Sequence, residues 1–133
     1  MDPKEMKART MKFGLQTVRF VEGLPIGKAS DIMGRQLLRS STGTGANYRA
    51  ACRAKSKADF VNKIQNAEEE ADESAYWLEM LIGSGIVSPH ESTLLLNEAN
   101  ELTAIFTASG RTAKDSLRSS ICNPKSAIRN HEV

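Results

Sequence analysis

Apolar and small residues recur at alternating steps of three and four along the chain, which is the spacing of one face of an α-helix. The pattern is clearest in the third segment, where its members are Phe60, Ile64, Ala67, Ala71, Ser74, Leu78, Leu81 and Gly85. Ser56 is a suitable N-cap with Asp59 three residues later, and Gly83 is suited to end a helix. The sequence therefore predicts a helix over about residues 57–83.

A fourth helix is predicted to begin within residues 88–91. Ser88 can cap it, Pro89 fits the first turn, and Glu91 completes a capping box. The helical spacing then continues through Leu95, Ala99, Leu102, Phe106 and Ser109, so the helix should reach about Lys114. Residues 117–133 mix Ser, Arg, Asn, Lys and Pro without a period. They predict a flexible polar tail after a four-helix bundle domain of residues 1–116.

The first half of the chain shows a weaker pattern of the same kind. The first helix should start at Pro3 and stop before Gly23 and Pro25. Its expected core-facing side consists of Met11, Leu15, Val18 and Val21. Ser30 and Asp31 can open a second helix, whose stripe consists of Ile32, Leu37, Leu38, Ser41, Gly45, Tyr48 and Cys52. Four helices with short connections predict an all-α fold, an up-down-up-down four-helix bundle.

Two glycines interrupt the second predicted helix at Gly43 and Gly45. Each Gly costs a helix interior about 1 kcal/mol relative to Ala, so two of them need a compensating reason. Close approach of a neighbouring helix is such a reason, because small residues let two helix axes come near each other. Asn47 is interpreted as a buried hydrogen-bonding residue that fixes helix register, with a role as a site residue as the alternative.

The aromatic pair Tyr76 and Trp77 lies in the third predicted helix. Adjacent residues are about 100° apart around a helix, so one ring can face the core while the other lies on an exposed or subunit-contact surface. Trp is a suitable anchor for such a contact. Core packing of both rings is an equally good interpretation.

Length and composition bound the class of protein. A chain of 133 residues is long enough for one domain, and no apolar run approaches the roughly 20 residues of a membrane span, so we expect a cytoplasmic protein without a membrane partner. Cys52 and Cys122 have no metal-ligand spacing and predict two free thiols. His90 and His131 lack the neighbours that catalysis or metal binding needs. We therefore predict no enzyme activity, no metal and no cofactor.

The charges are sorted by segment. Residues 35–63 contain seven basic residues and the single acid Asp59, whereas residues 64–110 contain nine acids and no Lys or Arg. Because cations neutralise a phosphate backbone without base contacts, the basic block predicts a nucleic-acid surface. Its predicted members are Arg35, Arg39, Arg49, Arg53, Lys55 and Lys57. The alternative is that these cations pair with the acids of the third helix, within one subunit or between subunits.

Several runs of the sequence resemble a known family. They are residues 36–49, 56–64, 73–82, 97–106 and 112–114, and together they span about residues 5–115. They are similar to the bacterial four-helix bundle family whose founding members are encoded in intervening sequences within large-subunit ribosomal RNA genes. The resemblance implies a homo-oligomer, with a ring-like pentamer as the family expectation, and it implies no enzyme. The family usually has Glu at the position of Ala50, so a contact made by that carboxylate is missing in this chain.

Two functions follow from the charge and the resemblance. In the first, the homo-oligomer binds RNA or a protein–nucleic-acid assembly through the basic stripe of the second helix. The structurally similar accessory proteins of diversity-generating retroelements, which bind nucleic acid and a reverse transcriptase, are a fold-level analogy for this function. In the second, the protein is a structural scaffold whose basic and acidic helices pair between subunits, without nucleic acid.

Overall fold

The computed structural model describes residues 2–122, with side chains described for residues 2–119. This part of the chain forms four helices and contains no strand. The helices are α1 (Pro3–Glu22), α2 (Lys28–Cys52), α3 (Lys57–Gly83) and α4 (Pro89–Cys122). The predicted all-α four-helix fold is therefore confirmed.

Side-chain caps explain where α1 and α3 begin. The Asp2 carboxylate accepts a hydrogen bond from the Glu5 amide at 2.9 Å, and Pro3 occupies the first turn, where its missing N–H costs nothing. The Ser56 hydroxyl accepts from the Asp59 amide at 3.1 Å. These contacts satisfy amides that have no partner within the helix, so they fix both starts.

Contacts between consecutive helices run in opposite chain directions. The contacting pairs are Thr10 with Gly45 and Val21 with Gly34 for α1 and α2, Gly43 with Glu70 and Ser40 with Ser74 for α2 and α3, and Ile64 with Gly110 and Lys57 with Ser116 for α3 and α4. Consecutive helices are therefore antiparallel, which is compatible with up-down-up-down order. Within residues 2–122, no Cα atom of α1 lies within 8 Å of a Cα atom of α3, and the same holds for α2 and α4. These two pairs are the diagonals of the bundle.

The buried face of α1 differs from the prediction. Phe13 and Phe20 point into the core together with Met6, Thr10 and Thr17. By contrast, the side chains that were expected inside, Met11, Leu15 and Val18, are 53, 54 and 37% exposed. The expectation was wrong because α1 carries two apolar stripes, and the larger aromatic side chains occupy the core. The two buried threonines are accommodated there because their hydroxyls donate to carbonyls one turn earlier.

The second helix also departs from its predicted pattern at its start. It begins at Lys28, before the expected opening at Ser30, and Ile32 is 60% exposed instead of buried. Further along, Leu37, Ser41 and Tyr48 are buried as expected. The Tyr48 ring stacks on Phe106 of α4 with ring centroids 5.7 Å apart, so this diagonal pair meets through side chains in the core.

The third and fourth helices bury the stripes that the spacing predicts. In α3 the buried members include Ile64, Ala67, Ala71, Ser74, Leu78 and Leu81, and in α4 they are Leu95, Ala99, Leu102 and Phe106. Small side chains dominate where α2 meets α3. There the fully buried hydroxyls of Ser40 and Ser74 lie 2.9 Å apart. The absence of bulk at this contact lets the two helices approach closely.

The fourth helix continues beyond its expected end near Lys114 to Cys122. No Pro or Gly occurs between Arg111 and Cys122, so nothing in that segment breaks a helix. The remaining residues of the predicted tail, 123–133, lie outside the described part of the chain. Among the described residues, no helix combines the length and apolar character required to cross a membrane.

Candidate nucleic-acid interface

The four arginines of the predicted site lie on one exposed stripe of α2. Arg35, Arg39, Arg49 and Arg53 are all exposed, and so are Thr42 and Ala46 between them. These six positions are spaced by alternating steps of four and three, which keeps them on one helix face. At 1.5 Å per residue the stripe is about 27 Å long.

The first half of this stripe is paired with acids of the same subunit. Arg35 lies 3.3 Å from Asp31, and both side chains are mostly exposed. Arg39 donates to Glu73 of α3 at 2.6 Å and lies 3.9 Å from Glu70. Part of the basic block is therefore neutralised within the subunit, and the Arg39 contacts are of the kind that the alternative interpretation expects, with acids of the third helix.

The second half of the stripe is free of such pairs. Among the described residues, the side chains of Arg49, Arg53 and Lys55 form no ion pair within 4 Å. Lys57 is half-buried, and its ammonium donates to the Ser116 hydroxyl of α4 at 2.8 Å. Three of the six predicted cations are thus available to an external anion, and they lie where α2 ends and α3 begins.

The antiparallel order brings further cations to this end of the bundle. The first turns of α1 and the last turns of α4 lie at the same end of the bundle as the end of α2, and both are basic. We call this region the basic end; its cations are Lys4, Lys7, Arg49, Arg53, Lys55, Lys57, Arg111, Lys114 and Arg118. They outnumber the acids of the same turns, Asp2, Glu5, Asp59 and Asp115. Sequence analysis missed the members from α1 and α4, because only the antiparallel order of the helices brings them together with α2.

An open cavity of about 620 Å³ lies at the basic end. Its walls include the rings of Tyr48 and Phe60 and the half-buried free thiol of Cys52. Lys7 and Lys57 also line it. Burial raises the pKa of the Tyr48 phenol, followed in importance by its hydrogen bond with Cys52, so the phenol stays protonated at neutral pH.

Two predicted interface residues, Gly43 and Gly45, lie at helix contacts inside the subunit, whereas the contact of Asn47 is within its own helix. A Cβ added to Gly43 would lie 2.7 Å from Glu70 Oε2, and one added to Gly45 would lie 3.4 Å from Thr10 Oγ1. Close approach therefore accompanies both glycines, as the sequence argument expects. The half-buried Asn47 amide donates to the Gly43 carbonyl at 2.8 Å, within its own helix.

The aromatic pair is divided between the core and the surface. Trp77 is half-buried against the core, and its indole N–H lies 3.4 Å from Glu73 Oε1. Tyr76 is 52% exposed and contacts the Trp77 ring edge to face, with centroids 5.0 Å apart. Of the two interpretations offered by the sequence, the structure supports the one that places one ring inside and one outside.

Two carboxylates have perturbed acidity. Desolvation, followed by the nearby Glu73 carboxylate, raises the pKa of Glu70, and the buried Glu70 Oε2 has no hydrogen-bond partner in the described part of the chain. The Lys55 amide, followed by the Lys63 ammonium, lowers the pKa of Asp59 by hydrogen bonding to it. The described residues contain no cluster of three or more His, Cys, Asp or Glu arranged to hold a metal. The chemistry that the basic end can provide is binding of a negatively charged ligand by neutralisation of its charge.

Comparisons with known proteins place the chain in a family. A search of curated proteins finds no match. A solved structure from Bacteroides thetaiotaomicron VPI-5482, described as a protein of unknown function from the S23 ribosomal protein family, is 32% identical. The similarity covers 84% of this chain and 99% of the other, with a TM-score of 0.76. The sequence model described as 23S rRNA-intervening sequence protein matches residues 4–108. The chain therefore belongs to the 23S rRNA-intervening sequence protein family.

Proposed function

We propose that this protein is a non-enzymatic, homo-oligomeric four-helix bundle protein that binds RNA through phosphate contacts at its basic end. One observation carries the proposal: Arg49 and Arg53 are exposed and have no ion pair within the described part of the chain, whereas Arg35 and Arg39 on the same stripe are paired with acids. A free guanidinium binds phosphate without first giving up an internal partner. The nucleic-acid surface is therefore narrower than the whole stripe and is centred on the end of α2.

The chemistry of the basic end suits a phosphate backbone better than particular bases. Lysines and arginines from all four helices lie at this end of the bundle, with Lys7 and Lys57 lining its cavity, and they release counterions when they neutralise phosphates. Such contacts position a nucleic acid without reading its sequence. The family description, 23S rRNA-intervening sequence protein, refers to a position in an RNA gene and names no ligand, and RNA is the nucleic acid that we propose.

Binding of labelled single-stranded RNA, followed by fluorescence anisotropy, tests this proposal. The Arg49→Ala/Arg53→Ala variant should bind at least tenfold more weakly than the wild type. The matched control, Arg35→Ala/Arg39→Ala, removes the same charge from the paired half of the stripe and should lose less affinity. Equal losses in both variants would remove the site assignment, and a wild-type protein without affinity for RNA would remove the function.

The second candidate function is a scaffold in which basic and acidic surfaces of neighbouring subunits pair. It is favoured by the exposed acids of α3, because Glu69 and Asp72 form no ion pair among the described residues. Light scattering of Glu69→Lys and Asp72→Lys variants tests it. The scaffold requires a change in oligomer mass, together with a 260/280 nm absorbance ratio of purified protein that shows no bound nucleic acid.

The number of subunits is a separate part of the proposal. Resemblance to the family favours a ring-like pentamer, and the mass of the chain is 14.5 kDa. Light scattering coupled to size exclusion gives the number directly. A mass that corresponds to another number of subunits would replace the pentamer without affecting the RNA site.

A further inference from the structure

The outer face of α1 carries an apolar stripe that its own subunit does not cover. Met11, Leu15 and Val18 are spaced by four and three residues and are 53, 54 and 37% exposed. Beside them, Gly14 and Gly45 help to line a shallow groove of about 210 Å³ between α1 and α2. Three large apolar side chains in one row resemble the contact stripe of a helix that packs against another helix.

The outer face of α3 carries a second such stripe. Tyr76 and Met80 are 52 and 41% exposed and lie one turn apart. Exposed acids accompany them at Glu69, Asp72 and Glu79. This stripe therefore combines an apolar centre with negative charge.

The two stripes cannot meet within one subunit. The helices α1 and α3 are diagonal in the bundle, and no Cα atom of one lies within 8 Å of a Cα atom of the other. Their outward faces point away from each other across the core. Only a second molecule can bring one stripe against the other.

The charges beside the two stripes match in sign and spacing. Lys12 and Arg19 are exposed on α1, seven residues apart, and form no ion pair among the described residues. Asp72 and Glu79 are exposed on α3, also seven residues apart, and are equally unpaired in that part of the chain. Seven residues are about two helical turns, or 10.5 Å, so both pairs can form at once.

The side of each apolar stripe on which these charges lie also suits a contact between the two helices. Arg19 follows Val18 by one residue, whereas Glu79 precedes Met80 by one residue. One residue is a rotation of about 100°, so the two charges lie on opposite flanks of their stripes when both helices point the same way. When two parallel helices face each other, opposite flanks come together, as at the e and g positions of a coiled coil.

We propose that α1 of one copy packs in parallel against α3 of a second copy of this chain. Lys12 then pairs with Asp72 and Arg19 with Glu79, while the apolar stripes of the two helices contact each other between these charges. The inference rests on the homo-oligomer of the proposed function and names its contact surface. Each copy has both an α1 stripe and an α3 stripe, so it can contact one neighbour through the first and another neighbour through the second. The contact is therefore head-to-tail and repeats from copy to copy.

A parallel contact has a consequence for RNA binding. Because neighbouring copies point the same way, their basic ends lie on the same side of the assembly. Several phosphate-binding surfaces then face one RNA, and the second contact forms at a high effective concentration.

Light scattering of the full chain tests the contact by charge reversal. Arg19→Glu and Glu79→Arg should each lower the oligomer mass towards the 14.5 kDa of one chain, and the two changes together should restore it. Arg35→Glu makes the same charge change on α2 and is expected to leave the mass unaltered. Leu15→Ser, at an exposed position, should also dissociate the oligomer while helical circular dichroism stays constant.

The outcomes separate this contact from the proposed function. A wild-type oligomer whose mass resists Arg19→Glu, Glu79→Arg and Leu15→Ser would overturn the contact and leave the oligomer intact. Single reversals that dissociate the oligomer without rescue by the double variant would overturn the parallel pairing. A wild type that is monomeric at all concentrations would overturn both the contact and the homo-oligomer.

Discussion

Arg39 of α2 donates a hydrogen bond of 2.6 Å to Glu73 of α3, and this contact divides the basic stripe. Arg35 and Arg39 have carboxylate partners in the same subunit, whereas Arg49 and Arg53 have no such pair among the described residues. Part of the positive charge of the stripe is therefore neutralised by acids of the same subunit. What remains for a partner is concentrated at one end of the bundle.

The ion pair between Arg9 and Glu98 should stabilise the contact of α1 with α4. Two guanidinium nitrogens donate to the two carboxylate oxygens at 2.8 and 2.6 Å, and the side chains are 26 and 23% exposed. The Glu98 hydrogen bond raises the pKa of Arg9. We expect Arg9→Ala to lower the free energy of unfolding by about 1.5–3 kcal/mol, since charged hydrogen bonds contribute in that range.

A double-mutant cycle in urea unfolding measures this pair. Arg9→Ala and Glu98→Ala should show a coupling of about 1 kcal/mol. The control cycle removes Arg35 and Asp31, whose side chains are 79 and 61% exposed, and should give about 0.3–0.5 kcal/mol. Equal coupling in the two cycles would contradict the role of partial burial.

Replacing Glu70 by Gln should stabilise the protein at neutral pH. Desolvation raises the folded-state pKa of Glu70, so the folded state binds this proton more tightly than the unfolded state does. The contribution of Glu70 to stability therefore falls as the pH rises from the ordinary carboxyl pKa of 4.5 through the raised pKa of the folded state. Gln does not titrate, so Glu70→Gln should unfold at a higher urea concentration at pH 7, and its advantage should vanish below about pH 4.

Urea midpoints measured over this pH range decide the matter. Glu69→Gln is the matched control, because it removes the same charge from an exposed neighbour and should change stability by less than about 0.5 kcal/mol. A Glu70→Gln variant that is less stable than the wild type at pH 7 would show that attraction to Arg39, 3.9 Å away, outweighs the cost of desolvating the carboxylate.

Acid should weaken the start of α3 through Asp59. The Lys55 amide and the Lys63 ammonium lower the folded-state pKa of Asp59, so the ionised carboxylate is favoured in the folded state. This stabilisation is present above the ordinary carboxyl pKa of 3.8 and is lost as the pH falls through the lowered pKa of the folded state. We expect Asp59→Asn to destabilise the protein at pH 7 and to flatten its loss of stability in acid.

The control for this prediction is Asp115→Asn, which neutralises an exposed acid of α4 that has no ion pair in the described residues. Thermal unfolding followed by circular dichroism between about pH 3 and pH 7 compares the two. Parallel pH profiles for the wild type and Asp59→Asn would contradict the assigned hydrogen bonds.

The bounds of α3 could be predicted from the sequence because local chemistry fixes them. Ser56 caps the helix and the glycines after Ile82 end it, so no tertiary information is needed. The buried face of α1 could not be predicted in the same way. Periodicity identifies an apolar stripe, but α1 has two, and only the shape of the core selects the one that contains Phe13.

The sequence predicts a block of positive charge in the second helix. It does not predict which of these cations remain unpaired on the folded surface. The segregation of charge is visible in the sequence, and so is the helical spacing from Arg35 to Arg53. Which cations are neutralised depends on the register of α2 against α3, which places Glu73 beside Arg39 and gives Arg49 no acidic partner among the residues that the structure describes. The contribution of Lys7 and Arg111 depends on the antiparallel order of all four helices.

The salt dependence of RNA binding tests the central claim most directly. For single-stranded nucleic acid, each neutralised phosphate contributes about 0.7 to the slope of log affinity against log salt concentration. Arg49→Ala/Arg53→Ala should therefore reduce the slope by about 1.4, and Arg35→Ala/Arg39→Ala should reduce it by less than half as much. A slope that is unchanged in the first variant, or reduced equally in both, would contradict binding at the basic end.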